Sequence, residues 1–352
     1  MTITITRTAL SGAFALALAS LAACGGGGSS TAPVATTPID PIGTPVTTPI
    51  SNGSVPPGIY VTNQNNSVTV FALDATGNAA PVRMLAGANT MLSLPIGIGV
   101  DHQGNLYVAN RTGGTVNVYT ASANGNVAPT RTITSPGMGS PQALTLGAGD
   151  DLYVATCPNC GSGNGGNTGL FHFSVNATAA DYTLSGSNTG FTVPANVELD
   201  KDKNVYVANA FGGNVAVFPP GNSGNTMPIR SFTPNVSVNV QAMSLGANSG
   251  ANAIALAVPS HGIELYDTTA SGPSNPASTL APSADFPLSY PAGVYFDNSV
   301  TPPVVYVNDY GASAIYVIQT AGIAPYLTVA SVKTIHGPAT GLAAPLGIIV
   351  VH

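Results

Sequence analysis

A strand of the type Tyr-Val-Ala-Asn recurs along this chain at a near-constant interval, and that repeat limits the fold more than any other feature. It occurs as Tyr60-Val61-Thr62-Asn63, Tyr107-Val108-Ala109-Asn110, Tyr153-Val154-Ala155-Thr156 and Tyr206-Val207-Ala208-Asn209. A degenerate copy, Ala255-Leu256-Ala257-Val258, and a last one, Tyr306-Val307-Asn308-Asp309, follow, with intervals of 46 to 53 residues between copies. A second signature places Gly-Asn and Pro-x-Arg at fixed distances after an aromatic. It reads Phe71…Gly77-Asn78…Pro81…Arg83, Tyr119…Gly125-Asn126…Pro129…Arg131 and Phe218…Gly224-Asn225…Pro228…Arg230. The arginines are expected to bridge a blade edge or a turn carbonyl rather than to catalyse. Between Gly104 and Ile133 the unit shows an apolar run, a Gly113-Gly114 turn and the alternating strand Thr115–Tyr119. A strand opening on Pro129 follows, as suits a sheet edge. A small apolar strand, Pro95–Val100, precedes it.

Units of this period stack as solenoids or close as propellers. The ends of the array decide between them. The first copy lacks the small apolar strand that should precede Tyr60, and the chain ends on such a strand, Pro345–Val351. A ring needs that permutation, because the last strand then completes the first blade and leaves no free edge. Equivalent strands begin at Pro95, Pro141, Pro194, Val240, Pro291 and Pro345. The expected fold is therefore all-β: a six-bladed β-propeller of four-stranded blades over residues 58–352. Seven blades are the alternative, if the irregular stretch Thr268–Pro287 hides another unit.

Only 6% of the 352 residues are charged and the net charge is −6. The few Lys and Arg are scattered, which excludes the basic footprint of a nucleic-acid binder. Arg7 followed by the apolar run Ala9–Leu21, too short to span a bilayer, reads as an export signal over residues 1–23. Leu21-Ala22-Ala23-Cys24 resembles the bacterial lipobox, which implies lipid on Cys24 and anchoring to a membrane; cleavage by an ordinary secretory route is the other reading. Gly25 after the cysteine is similar to the pattern that directs lipoproteins to the outer membrane, where the domain would face the periplasm or the cell surface. Residues 24–57, rich in Gly, Pro, Thr and Ser, cannot bury a core. As a flexible tether they would hold the domain roughly 30 Å from the bilayer.

Pro95-Ile96-Gly97-Ile98-Gly99-Val100-Asp101 with Gly104-Asn105-Leu106-Tyr107-Val108-Ala109-Asn110 resembles the NHL repeat of six-bladed propellers. The likeness covers essentially residues 58–352. It implies the fold and leaves the function open, because that architecture hosts ligand binders, scaffolds, lactonases and lyases.

Aligned inner strands show what should line the axis. Their third positions read Gly97, Ala143, Asn196, Ala242, Gly293 and Gly347, small enough for six strands to converge. Their fifth positions read Gly99, Thr145, Glu198, Ser244, Tyr295 and Ile349. Asn196 and Glu198 stand out, either as ligand contacts or as groups satisfied by turn amides or water. Asp101, Asp200 and Asp297 are expected to form turns. Loops after the Tyr-Val-Ala-Asn strands should share one face, carrying Asn110, Arg111, Asn209, Phe211, His261, Asp309 and Tyr310. Resemblance to propeller lactonases implies an oxygen-ligated cation such as Ca²⁺, for which Glu198, Asn209 and Asp309 are the candidates; no motif matches residue by residue. Cys157 and Cys160, in a loop of an exported protein, read as a small disulfide. Two functions follow. One is a non-enzymatic scaffold that binds an envelope protein, peptide or glycan and has no cofactor. The other is a metal-dependent hydrolase or lyase centred on Glu198.

Overall fold

The Tyr-Val-Ala-Asn segments are strands in which every residue is buried, as in Leu106–Asn110 and Val205–Asn209. Strands buried on both faces must be flanked by protein on either side, and in this chain each is sandwiched between neighbouring blades. The computed structural model describes residues 56–158, 168–210, 212–235, 239–246, 253–259 and 261–352. Phe211 and Cys160, along with Cys24 and the rest of the N-terminal segment, lie outside them.

Among the described residues the strands form six sheets, antiparallel except for one edge pair. Blade 2 shows the plan: inner strand Pro95–Val100, second strand Leu106–Asn110, third strand Thr115–Tyr119 and outer strand Arg131–Ile133. Blade 1 draws its inner strand from the far end of the chain. Pro345–Val351 pairs with Gly58–Asn63, with Ile59 opposite Val350 and Val61 opposite Ile348. The ring is closed as the terminal half-repeats predict.

The seventh blade is not formed. Within the irregular stretch, Ser278–Leu280 is the outer strand of blade 5. Gly272–Ser274 runs parallel to Arg230–Pro234 and adds a fifth strand to blade 4. The long crossing of blade 5 is thus absorbed by its neighbour's open edge. The inner strand of that blade spans Ala242–Leu245, two residues later than Val240.

Six apolar clusters fill the six blade interfaces. The one between blades 6 and 1 includes Tyr306, Ile315, Ile59, Phe71 and Ile348, so the closing seam is packed like the others. The one between blades 1 and 2 includes Tyr60, Val70, Leu106 and Tyr119. Fully burying one such aliphatic or aromatic side chain contributes about 1.5–3 kcal/mol. The third-position glycines are required by contact. A Cβ on Gly347 would lie 2.1 Å from the Ile96 carbonyl oxygen, and one on Gly293 would lie 2.3 Å from that of Leu346.

The second signature is a clasp between blades. Gly125 donates to the Met84 carbonyl and accepts from Ala86, so it joins the outer strand of blade 1. Asn126 then accepts the Asn89 amide at 2.8 Å. Asn225 does the same to Asn188 at 2.7 Å, and Asn78 to Ala339 at 2.7 Å. The arginines of the same signature each brace their own blade. Arg83, Arg131 and Arg230 donate to the hydroxyls of Tyr60, Tyr107 and Tyr206 at 2.6, 3.0 and 3.1 Å.

Candidate functional site

The inner strands enclose a channel of about 390 Å³. Its walls include Gly97, Asn196, Glu198, Ser244, Tyr295 and Gly347, in keeping with the aligned third and fifth positions. Fourth positions such as Ile98, Val197 and Ile348 pack in the clusters between blades. Mostly small residues converge at one level, and Thr145, Glu198, Ser244 and Tyr295 take up room at the next.

Glu198 and Tyr295 are the ionisable side chains among the lining residues. Glu198 is half-buried and makes no side-chain hydrogen bond within the described residues. It sits deep among the inner strands, and desolvation pushes its pKa up to about 8. At neutral pH the carboxyl therefore holds its proton and can donate a hydrogen bond into the channel. Burial also raises the Tyr295 phenol, with Asp297 and Glu198 adding to the shift, so both groups are neutral together. Gln142 and Gln241, at second positions, add amides to the wall. Sequence reasoning passed over both; their recurrence at one position of two inner strands was the available signal.

The residues expected on the mouth loops do something specific. Asn110 is fully buried and accepts the Ser93 amide at 3.0 Å. Asn209 accepts the Thr192 amide at 2.9 Å and donates to the Asn214 side-chain oxygen at 3.2 Å. Asp309 accepts four amides, from Ser289, Tyr290, Gly311 and Ala312, at 2.6 to 3.1 Å. Asn63 takes the Ala343 amide at 3.1 Å. Each therefore pins the loop that leads into the neighbouring inner strand. Charge on Asp309 suits that nest, since ionised acceptors make the stronger bonds.

The three cation candidates are not brought together. Asn209 pairs with Pro194 at the mouth, whereas Glu198 pairs with Tyr206, four residues further along the strand. That is roughly 13 Å at the strand rise. Asp309 lies at the mouth level of blade 6, opposite Pro291. Among the described residues no group of three or more His, Cys, Asp or Glu is arranged to hold a metal ion.

Other residues on that face are placed as follows. Arg111 is 7% exposed, and burial pushes its pKa down. Its amide donates to the Leu94 carbonyl. Tyr310 donates to Gln64 at 3.0 Å and meets Tyr290 edge-on at 5.8 Å. His261 is exposed, 3.9 Å from the buried Glu264, whose other oxygen takes the Tyr266 hydroxyl at 2.6 Å. Asn196 is half-buried beside Glu198. Cys157, 1% exposed, is at the end of blade 3's second strand. At the opposite end, Asp101 and Asp200 close their turns as expected, each accepting two backbone amides and one asparagine amide. Asp297 accepts from Ser299 and pairs with the terminal His352 at 2.7 Å.

No protein-family model matches the sequence, and no curated protein matches it. Solved structures do match in fold. The WD40 β-propeller domain of Doa1 superposes with a TM-score of 0.54 at 10% identity, over 84% of this chain and 86% of that one. A functionally unknown protein from Desulfotomaculum acetoxidans gives 0.54 at 10% identity, over 84% and 98%. A protein of unknown function from Bacteroides caccae gives 0.53 at 11% identity, over 83% and 98%. At these identities the likeness shows the propeller fold alone.

Proposed function

We propose that this protein is an exported, lipid-anchored propeller with NHL-like repeats that acts as a binding scaffold in the cell envelope. Cys24 would carry the lipid, residues 24–57 would be the tether, and Cys157–Cys160 would close a small disulfide loop on the binding face. One observation carries the reading. The polar residues that recur at the mouth, Asn110, Asn209 and Asp309, are spent on holding loops. What remains for recognition is a rigid mouth displaying Tyr310 and His261, above a channel holding a protonated carboxyl. A neutral carboxyl is a hydrogen-bond donor, which suits recognition of a protein, peptide or glycan.

The same observation favours a second reading. A carboxyl with a pKa near 8 in a cleft is poised for general acid–base work, as a hydrolase or lyase would require. The Glu198→Ala protein separates the two. Capture of envelope components by the wild type that persists in Glu198→Ala, without turnover of lactones or esters by either, supports the scaffold. Turnover by the wild type that is lost in Glu198→Ala overturns it.

A further inference from the structure

Arg83, Arg131 and Arg230 occupy one register position, each opposite a valine of the third strand, and each grips the tyrosine of its own blade. Their second guanidinium nitrogens differ. Nη1 of Arg83 donates to the Ala121 carbonyl in the next blade, and Nη1 of Arg230 to that of Ala270 at 2.7 Å. Nη1 of Arg131 is buried and has no acceptor among the described residues. The turn it should reach is present, because Ala177 closes on Ser174 in blade 3 as Ala123 closes on Thr120 in blade 2. Between Arg131 and that turn a cleft of about 250 Å³ opens at the seam of blades 2 and 3. Leaving a buried guanidinium donor unmatched costs free energy that the other two seams avoid.

The cleft walls set the chemistry of what fits. Asp101, Asp150, Gln103, Asn105 and Asn176 join Arg131 there. Two carboxylates against one guanidinium leave the cleft net negative, which disfavours phosphate or carboxylate ligands. The guanidinium in turn opposes a metal cation, and Asp101 already accepts three hydrogen bonds. Asp150 takes the His102 amide and ring on Oδ1, at 3.0 and 2.7 Å. Its Oδ2 has no partner among the described residues. A hydroxyl both accepts and donates, so a ring bearing several of them can satisfy Arg131 and Asp150 together.

We propose that this seam between blades 2 and 3 binds a neutral sugar, with Arg131 donating to one hydroxyl and Asp150 accepting from another. The site is apart from the channel, so it stands or falls independently of the function proposed above. The test is the full chain on an array of neutral and acidic glycans, with titration by free glucose, galactose, mannose and N-acetylglucosamine. Binding of a free hexose identifies a monosaccharide site. Binding of array glycans alone identifies the end of a longer chain. In either case Asp150→Asn and Arg131→Gln should weaken binding at least tenfold. Arg83→Gln, which loses the same tyrosine brace at another seam, should leave it unchanged. Any one of three results overturns the proposal: no neutral glycan or hexose bound, acidic glycans preferred, or affinity unaltered in Asp150→Asn.

Discussion

Asn78 accepts the backbone amide of Ala339 at 2.7 Å, and so a residue of the first blade holds the turn that leads out of the last. Alongside it Gly77 donates to the Thr334 carbonyl and accepts from His336. The ring is thus closed at the rim by this clasp and within blade 1 by the pairing of Val61 with Ile348.

Asn78→Ala should therefore destabilise the whole ring rather than fray one blade, by about 1 kcal/mol for the lost amide acceptor. Equilibrium denaturation should show a lower midpoint with an unchanged slope. A chain ending before Pro345 should lose the single cooperative transition, because blade 1 then exposes its second strand as an open edge.

Gly347→Val tests the convergence of inner strands. Its Cβ would meet the Ile96 carbonyl oxygen, which is backbone and cannot swing aside. We expect a loss of about 3 kcal/mol or more, or failure to fold. By contrast, nothing within 4 Å crowds a Cβ on Gly221, so Gly221→Asn should cost far less despite its positive φ.

Replacing each bracing arginine by methionine should give a graded series. Arg230 holds Tyr206 and the Ala270 carbonyl, whereas Arg131 holds only Tyr107 among the described residues. Arg230→Met should cost about 1.5–3 kcal/mol more than Arg131→Met in denaturation experiments, the value of one charge-assisted hydrogen bond.

Glu198 sets a pH dependence. Its folded pKa, about 8, lies above the ordinary carboxyl value of 4.5. The folded protein then binds more protons than the unfolded chain between those limits, so stability falls as pH rises from about 4.5 to about 8. Glu198→Gln should remove that slope. Allowing for channel water, the variant should gain roughly 1–3 kcal/mol over the wild type at pH 9 and little at pH 4. Denaturation across that range checks it.

The ring was legible because its causes are local or repeated. Period-two strands, glycine turns and a strand missing at one end and present at the other define six blades without any long-range information. The third-position glycines were readable for the same reason. The roles of Asn110, Asn209 and Asp309 were not. Their partners, such as Ser93 and Thr192, lie in loops with no pattern of their own, and only the pairing of inner and second strands brings them together. A physical clue was nevertheless present. A polar residue that recurs at the same place in several blades serves the blade, whereas Glu198 occurs in one blade and has no counterpart. The cleft beside Arg131 could not be read at all. Its sequence motif is identical in spacing to the other two, and only the next blade's turn reveals the difference.

A thermal melt of the full chain tests the central claim most directly, first in chelator and then with Ca²⁺, Mg²⁺, Mn²⁺ or Zn²⁺. A site filled at a hundred times its dissociation constant would stabilise the fold by about 2.7 kcal/mol. A scaffold whose channel carboxyl keeps its proton predicts the same melting temperature in every condition at pH 7. A rise with one cation that disappears in Glu198→Ala would contradict it and place a metal-dependent enzyme ahead.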